Sequence, residues 1–425
     1  MSSRTQSHLS QALIIIVLVT LSSAADWPRF RGPNGQGRSE ADDLPATWSE
    51  DANIAWKTPI PGEGWSSPVI LDGQIWMTTA VEHGKSLRAL CVDEQSGKVI
   101  HNVEVFAPGK PSGINERNTH ASPTPVIEPG RVYVHFGNMG TACLATDTGK
   151  VFWRTTDLHF RLTHGPASSP ILFQNLLILQ FDGPKEKVVI ALNKQNGEVV
   201  WQRHRSAPYR ENTLNHQAHT TPVVAKFRDG WQLITVAADQ THAYNPLTGD
   251  ELWHVRYEGF ANVACPILSR AKASDDSDAA FIVTGFGKTE LWKIRLDGKG
   301  NVSESNVLWR ARKQMPKLPT PVLVDGRIYM VNDQGVALCL DAETGERFWE
   351  TRLGGNYSAS PVFGDGKVYF ASEDGKVTVM QPGEKPAIVG ENQLAGRIKA
   401  TPAIVGRGIF VRTDQHLYRI ENLDE

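Results

Sequence analysis

Apolar and polar residues alternate along this 425-residue chain in short runs that are separated by turn-forming pairs. Runs such as QIWMTT, RVYVHF, RIYMV and KVYFAS each follow such a pair: Asp72-Gly73, Pro129-Gly130, Asp325-Gly326 and Asp365-Gly366. Short alternating runs with turn pairs between them are typical of β-hairpins. The pattern therefore predicts an all-β fold.

The hairpins belong to a repeat. A Ser-Pro, Thr-Pro or Cys-Pro step followed by apolar residues recurs with intervals of 57, 45, 52, 44, 55, 40 and 41 residues between successive prolines. The steps are Ser67-Pro68, Thr124-Pro125, Ser169-Pro170, Thr221-Pro222, Cys265-Pro266, Thr320-Pro321, Ser360-Pro361 and Thr401-Pro402. Four short strands in each such interval match the period of a β-propeller blade.

Most repeats end in a second motif, in which an Asp or Asn is followed by three residues, a Gly, and a Trp four residues after the Gly. His101 takes the Trp place in the first repeat, and the fifth repeat has a longer turn. A large, flat side chain at this place is expected to dock between adjacent blades and bury its area there. Six tryptophans lie at or near it: Trp56, Trp153, Trp201, Trp253, Trp309 and Trp349.

The ends of the repeat array predict how the ring closes. Trp56 has the closing spacing relative to Pro68, yet no repeat precedes it, and the last repeat stops at Ile420 without room for a fourth strand. A strand over Asn53–Pro59 would complete the last blade and remove a free sheet edge. We thus expect a signal peptide over 1–25, an extended N-terminal wrap over 26–48, and one eight-bladed propeller of four-stranded antiparallel blades over 49–425.

The N-terminal residues have the pattern of a targeting signal. A ten-residue apolar run, Ala12 to Leu21, precedes the small residues Ser23-Ala24-Ala25. This order is typical of a secretory signal peptide, with cleavage near Ala25, and an uncleaved anchor is the alternative. No second long apolar run follows, so we expect no transmembrane span in the mature chain and a periplasmic or secreted location.

Charge and cysteine usage exclude some classes. The chain has 44 Lys and Arg against 46 Asp and Glu, without the basic excess of a general nucleic-acid binder. Cys91, Cys143 and Cys339 share one register in different blades, too far apart for disulfides, so we expect all four cysteines, including Cys265, to be reduced. The segment from Gly32 to Ser39 approaches a P-loop pattern but lacks the flanking strand and helix.

The D-x-x-T-G-x-x-x-W repeat resembles the tryptophan-docking repeat of PQQ-like β-propellers, over roughly residues 50–420. That group includes quinoprotein alcohol dehydrogenases and the outer-membrane assembly lipoprotein BamB. The opening from Trp27 to Asn34 is similar to that of secreted planctomycete proteins with PQQ-like repeats. The resemblance implies either a non-catalytic scaffold or an oxidoreductase that uses PQQ and calcium. The adjacent Cys pair and the C-x-x-C-H haem motif of the quinoproteins are missing from this sequence.

In a propeller, the strand that opens each repeat lines the central channel, so residues just before each proline should meet at one rim and form a binding site. These candidates are Glu63, Trp65, Asn118, His120, His164, His216, His219, Asn262, Asn356, Tyr357, Arg397 and Lys399. Three interpretations are open: hydrogen bonding to the inner strands, a small-molecule or glycan site, or metal or quinone chemistry.

The function that we expect is that of an exported, non-catalytic, monomeric propeller without a cofactor or catalytic residues. It would bind envelope or secreted proteins, a small molecule or a glycan, and no nucleic acid. The alternative is an oxidoreductase of alcohols or sugars that uses PQQ and calcium in the propeller funnel. No Asp lies in the segments before the prolines to serve that chemistry as a general base, which disfavours the alternative.

Overall fold

The computed structural model describes residues 26–210, 216–227, 230–270 and 278–423, so the expected signal peptide lies outside the described residues. Within these ranges the chain forms 33 β-strands and two short 3-10 helices, Glu82–Gly84 and Gly137–Met139. The strands make eight separate sheets. The predicted all-β, eight-bladed propeller is confirmed. None of the helices in the described ranges has the length and apolar character to cross a membrane.

The strands follow one another from the inside to the outside of each blade. The first strand of the chain, β1 (Ile54–Pro59), belongs to the last blade. Blade 1 contains β2 (Val69–Leu71), β3 (Gln74–Val81), β4 (Ser86–Asp93) and β5 (Val99–Phe106). Blade 2 contains β6 (Val126–Glu128), β7 (Arg131–His135), β8 (Thr141–Ala145) and β9 (Val151–Thr155). Blade 3 contains β10 (Ile171–Phe173), β11 (Leu176–Asp182), β12 (Lys187–Asn193) and β13 (Val199–His204).

The second half of the ring repeats this order. Blade 4 contains β14 (Val223–Phe227), β15 (Gly230–Ala237), β16 (Gln240–Tyr244) and β17 (Glu251–Arg256). Blade 5 contains β18 (Ile267–Ser269), β19 (Ala279–Val283) and β20 (Leu291–Arg295), followed by β21 (Gly300–Asn301) and β22 (Val307–Ala311). Blade 6 contains β23 (Val322–Val324), β24 (Arg327–Val331), β25 (Val336–Asp341) and β26 (Arg347–Arg352). Blade 7 contains β27 (Val362–Gly364), β28 (Lys367–Ala371), β29 (Lys376–Gln381) and β30 (Ala387–Gln393), and blade 8 contains β31 (Ala403–Val405), β32 (Gly408–Arg412) and β33 (His416–Ile420).

The ring closes as the sequence predicts. β1 pairs antiparallel with β33, so the N-terminal strand supplies the outermost strand of blade 8. The irregular fifth repeat has a structural counterpart, because β21 leaves blade 5 and pairs parallel with β17 of blade 4. Blade 4 therefore has five strands.

The residue before each proline joins neighbouring blades. The backbone N–H of Ser67 donates to Thr124 Oγ1 at 2.9 Å, and that of Thr124 donates to Ser169 Oγ at 3.0 Å. The same bond recurs from blade to blade as far as Ser360 and Thr401, with Cys265 Sγ as one of the acceptors. The position therefore requires a side chain that accepts a hydrogen bond. At the seam, Ser67 Oγ has no partner among the residues that the structure describes.

The repeat tryptophans lie between blades. The indole of Trp153 covers Gly197 of the next blade, and a Cβ atom at that glycine would lie 2.6 Å from the ring. Trp56 covers Gly97 in the same way across the seam. The indole N–H of Trp153 also donates to the main chain of that blade, to Lys194 O at 2.9 Å. Equivalent contacts join Trp201 to Gly249 and Trp309 to Gly345, and Trp349 Nε1 donates to Gly383 O at 3.0 Å.

Trp253 differs because its blade precedes the irregular repeat. It is fully buried, and its indole N–H donates to Gln232 Oε1 within its own blade at 2.9 Å. The four cysteines are free and buried, in agreement with the expectation that they are reduced.

Candidate functional site

The inner strands enclose a central cavity of about 500 Å³ that is open at one end. This volume lies in the range that small-molecule sites occupy. The eight residues that join the blades also line the cavity, so its wall is a ring of hydroxyl groups and one thiol: Ser67, Thr124, Ser169, Thr221, Cys265, Thr320, Ser360 and Thr401. Burial raises the pKa of the Cys265 thiol, which keeps it protonated.

The other end of the channel is closed by the N-terminal segment. Phe30 forms part of the cavity lining, and the fully buried Arg31 donates to the carbonyl oxygens of Thr320 (3.2 Å), Pro321 (2.8 Å) and Pro361 (3.3 Å). Burial lowers the pKa of Arg31 to about 10, because carbonyl oxygens rather than a carboxylate surround it. The guanidinium therefore ties the segment to blades 6 and 7.

The segment also binds the other sides of the ring. Its main chain pairs with Ile70 of blade 1 and Phe363 of blade 7, and Gln36 Oε1 accepts from the backbone N–H of Leu268 in blade 5 at 2.7 Å. A Cβ atom at Gly37 would lie 2.6 Å from Arg31 Nη2, so glycine makes room for the arginine. The last glycine of the P-loop-like segment thus packs against an arginine side chain. Where we expected an extended wrap, residues 26–48 include a plug across the channel.

One wall of the mouth combines an aromatic ring with cations. Lys399 Nζ lies 5.3 Å and the Arg397 guanidinium 5.7 Å from the ring centroid of Trp65. Lys399 also lies 3.6 Å from Glu373 Oε2. On the opposite wall, Lys317 Nζ lies 5.3 Å from the Phe286 ring. Cations over aromatic faces suit a ligand with a flat apolar surface and negative or hydroxyl groups.

A pair of histidines lies on another part of the cavity wall, between these two. His164 Nδ1 of blade 3 lies 3.2 Å from His219 Nε2 of blade 4. Burial lowers the pKa of His219 to about 4 and also lowers that of His164. Both rings are therefore neutral at pH 7, and one donates a hydrogen bond to the other. No carboxylate or cysteine in the described chain completes a metal cluster with them.

The long connection between blades 1 and 2 folds over the mouth. It places Asn115, Glu116 and Arg117 on the cavity lining, and the backbone N–H of Asn115 donates to His164 O at 3.2 Å. Asn118 ends this segment and donates to His164 O (2.8 Å) and Pro166 O (3.0 Å). Sequence reasoning missed the first three residues, although their interval of 57 residues is the longest of the series.

Six of the twelve candidate residues come together at the mouth. Trp65, Asn118, His164, His219 and Lys399 line the cavity, and Arg397 covers Trp65. Sequence reasoning also missed the hydroxyl ring, whose residues stand in the repeat motif itself, and the aromatic residues Phe30, Phe260 and Phe286.

The other six candidates lie elsewhere, because successive side chains before a proline do not all face the channel. His120 bonds to Ser112 O at 2.8 Å beneath the long connection, and His216 Nε2 lies 3.0 Å from Asp239 Oδ2. Asn262 and Tyr357 are buried in the blades. Glu63 and Asn356 are exposed, and their main chains bond to Ala80 and Glu373.

A matching family model shows the family of this chain. The family model described as "Outer membrane protein assembly factor BamB" matches residues 55–240, 185–298 and 240–385. The chain belongs to this family. Its matched regions cover blades 1 to 6 and part of blade 7, together with the seam strand β1.

Two BamB proteins are similar in sequence. That of Alkalilimnicola ehrlichii is 25% identical over 224 residues, which is 52% of each chain. That of Yersinia pestis is 22% identical over 289 residues, which is 64% of this chain and 66% of the relative. The matches therefore span about half and just under two thirds of the relatives' length.

Solved structures show the same fold at low sequence identity. Quinohemoprotein alcohol dehydrogenase from Comamonas testosteroni superposes with a TM-score of 0.69 at 11% identity, covering 93% of this chain and 80% of that one. A europium-containing methanol dehydrogenase gives 0.68 at 10% identity, with 91% and 89% covered. BamB from Moraxella catarrhalis gives 0.58 at 12% identity, with 86% and 99% covered.

The lining of this BamB-family propeller does not fit a calcium-and-quinone site. Calcium takes six to eight oxygen ligands, with carboxylates prominent among them. Among the cavity-lining residues that the structure describes, Glu116 is the carboxylate, and it is exposed on the long connection. The Asn118 amide is used up by main-chain and hydroxyl partners. The described cavity lining thus lacks the buried carboxylates that are prominent among calcium ligands.

Proposed function

We propose that the protein is an exported, non-catalytic propeller that acts as a ligand-binding module or interaction scaffold, as its BamB relatives suggest. One observation carries this proposal: the channel is a cavity with one open end, because Arg31 and its segment close the other. Such a cavity can hold a ligand, or an end of a partner molecule, that enters through the mouth.

The groups in the cavity support binding rather than catalysis. The hydroxyls of the ring accept backbone N–H groups of neighbouring blades, apart from Ser67 Oγ, which has no partner in the described chain. Among the described residues, no lining serine bonds to either lining histidine. Nucleophilic catalysis needs a base within hydrogen-bond reach of the nucleophile. The Cys265 thiol stays protonated, and the neutral imidazole rings of His164 and His219 hydrogen-bond to each other.

The chemistry of the mouth defines the ligand class. Trp65 offers a flat face, Lys399 and Arg397 offer positive charge, and Asn115 and Ser122 offer hydrogen bonds. We infer a small molecule or a glycan with hydroxyl or anionic groups, alone or as part of an envelope or secreted protein. The protein would act as a monomer in the periplasm or outside the cell.

An oxidoreductase that uses PQQ and calcium is the second candidate. The fold of its structural neighbours and the cations over Trp65 favour it. The shortage of carboxylates in the lining opposes it.

Photo-crosslinking from the mouth tests the proposal. A photoreactive residue in place of Asn115, in protein expressed in its native envelope, should give one recurrent adduct. The same residue in place of Trp231, an exposed side chain on β15 of blade 4 that does not line the cavity, serves as the control. An adduct that is specific to position 115 and is reduced by Trp65→Ala supports binding at the mouth. Equal labelling from both positions would count against it.

A further inference from the structure

A separate cluster of ligating side chains lies on the outer strands of blade 4. His242 on β16 pairs directly with His254 on β17. Glu251 lies between them, with Oε1 2.7 Å from His254 Nδ1 and Oε2 3.2 Å from His242 Nδ1. All three ligand atoms lie within 4.8 Å of one another, and no other group of His, Cys, Asp or Glu in the described ranges has this arrangement. None of the three residues lines the central cavity.

A β-bulge brings the three side chains to one face of the sheet. Ala243 pairs with Trp253, but the next residue, Tyr244, pairs with Glu251, so Leu252 is an extra residue in the strand. In a regular strand, residues three apart point to opposite faces. The extra residue reverses this, and Glu251 joins His254 and His242 on the same face.

The repeat provides internal controls for this position. The bulge recurs before the docking position of the other blades, so each blade has an equivalent triplet of one inner and two outer residues. Only blade 4 combines two histidines with a carboxylate. The other triplets, in blade order without blade 4, are Leu90/Val99/Asn102, Ala142/Val151/Arg154, Ile190/Val199/Gln202, Trp292/Val307/Arg310, Leu338/Arg347/Glu350, Thr378/Ile388/Glu391 and Tyr418/Ile54/Lys57.

The hydrogen bonds of His242 leave one of its nitrogens free to ligate. Its Nε2 lies 2.6 Å from Gln240 Oε1, and with the amide in this orientation Nε2 carries the hydrogen, because a carbonyl oxygen only accepts. Nδ1 then presents a lone pair to Glu251 Oε2, a second acceptor, at 3.2 Å. Two acceptors face each other in this way when a proton or a cation lies between them. His242 is fully buried, so bulk solvent does not reach this pair of atoms.

Neighbouring side chains hold His242 and Glu251 in place, and one side of the cluster is open to solvent. Gln240 orients His242, and Ser206 Oγ donates to Glu251 Oε2 at 2.5 Å, as the outer partners of metal ligands do. Tyr244 stacks parallel to the His242 ring at 5.5 Å and fixes it from the side. His254 and Glu251 keep 17% and 24% of their side-chain surface exposed, so an ion can enter and keep a water ligand.

We propose that His242, Glu251 and His254 bind one divalent transition-metal ion of the zinc class on the flank of blade 4. Two neutral imidazoles and one carboxylate are a ligand set that zinc accepts, with water in the fourth position. The site is independent of the proposed ligand in the central cavity. It would tie β16 to β17 in the blade that also carries the extra strand β21.

Metal retention tests the proposal. The full mature chain is stripped with a chelator, loaded with Zn²⁺, desalted and analysed for bound metal, and its affinity is measured by calorimetry. We expect one bound ion per chain and a higher melting temperature with Zn²⁺. Glu251→Gln and His254→Ala should each weaken binding by at least roughly tenfold. Co²⁺ in place of Zn²⁺ should give the visible absorption bands of tetrahedral coordination, and both variants should lose them.

Matched variants locate the site. Gln202→Ala changes the residue of blade 3 that is equivalent to His254 and should leave binding unchanged, as should His164→Asn in the cavity. His242→Leu introduces the residue that blades 1 and 6 carry at this place, so it should fold and lose the metal. The proposal is overturned if no stoichiometric Zn²⁺ is retained, or if binding survives Glu251→Gln and His254→Ala. Either result would mean that the Gln240 amide is rotated by half a turn, so that its NH2 group donates to His242 Nε2 while His242 Nδ1–H donates to Glu251.

Discussion

The backbone N–H of Ser360 donates a 3.1 Å hydrogen bond to Thr401 Oγ1, a residue 41 positions away and one blade further around the ring. Both residues are buried. The bond explains why Ser, Thr or Cys precedes seven of the eight prolines: the side chain accepts the N–H of the preceding blade, except for Ser67 at the seam. The recurring step is therefore a joint between blades as well as a lining for the cavity.

Removing this acceptor should weaken the ring. Thr401→Val keeps the shape of the side chain but leaves the Ser360 N–H unsatisfied, which should cost about 1–3 kcal/mol of the free energy of unfolding. Denaturant unfolding measures the loss. Thr401→Ser keeps the hydroxyl and should lose less than Thr401→Val. Equal stability of the Val variant and the unmodified protein would show that the bond does not join the blades.

The indole of Trp349 should carry much more stability than its neighbour Phe348. Trp349 is buried and bonds to Gly383 of blade 7, whereas Phe348 is 39% exposed. Trp349→Ala should cost about 3–5 kcal/mol, as large-to-small changes in a core do. Phe348→Ala should cost much less in the same unfolding experiment. If both variants melt alike, Trp349 does not dock blade 6 on blade 7.

Two arginines of the plug allow a paired test. Arg31 donates four hydrogen bonds to main-chain oxygens through Nη1 and Nη2, and the Nε atoms of both Arg29 and Arg31 have no partner in the described chain. Arg31→Ala should cost roughly 2–4 kcal/mol because buried carbonyl oxygens lose their donors. Arg29→Ala should cost less. Protease cleavage near the N-terminus should also increase only in the Arg31 variant, and similar cleavage of both would argue against the plug.

Acid should destabilise the protein through the histidine pair. His219 has a pKa of about 4 in the fold against an ordinary value of 6.5, mainly through burial and secondly through His164. Between these values the unfolded chain binds more protons than the folded one. The contribution of neutral His219 to the free energy of unfolding is complete above about pH 6.5 and is lost as the pH falls towards 4.

Chemical unfolding at pH 7 and pH 5 checks this prediction. His219→Asn should reduce the loss of stability between the two pH values, because its side chain does not titrate. His159→Asn, a change at an exposed histidine, should leave the loss as it is. If His219→Asn loses as much stability on acidification as the unmodified protein, the pair is not the source.

The repeat made the fold predictable. Each interval between prolines contains the turns and apolar runs of one blade, and the spacing of Trp56 and Ile420 indicated the seam between β1 and β33. Local rules suffice here because a blade contacts mainly its neighbours.

The site was predictable only in part. Position before a proline fixes closeness to the channel but not the direction of the side chain, so Trp65 and Lys399 line the cavity while Asn262 is buried in its blade. The plug was hidden because Arg31 meets residues some 290 positions away, and no local pattern indicates such a partner. The cluster of His242, Glu251 and His254 was hidden for a different reason. Regular alternation would place Glu251 and His254 on opposite faces of the sheet, and the bulge at Leu252 places them on the same face.

The most direct test of a non-catalytic function is a titration of the purified mature protein with PQQ and Ca²⁺, followed by a dye-linked assay with alcohols and sugars. Because Glu116 is the one carboxylate on the described cavity lining and is exposed, we predict no stoichiometric quinone absorbance and no turnover. Bound PQQ at one per chain with calcium-dependent oxidation, abolished by Trp65→Ala, would contradict the account and establish the oxidoreductase.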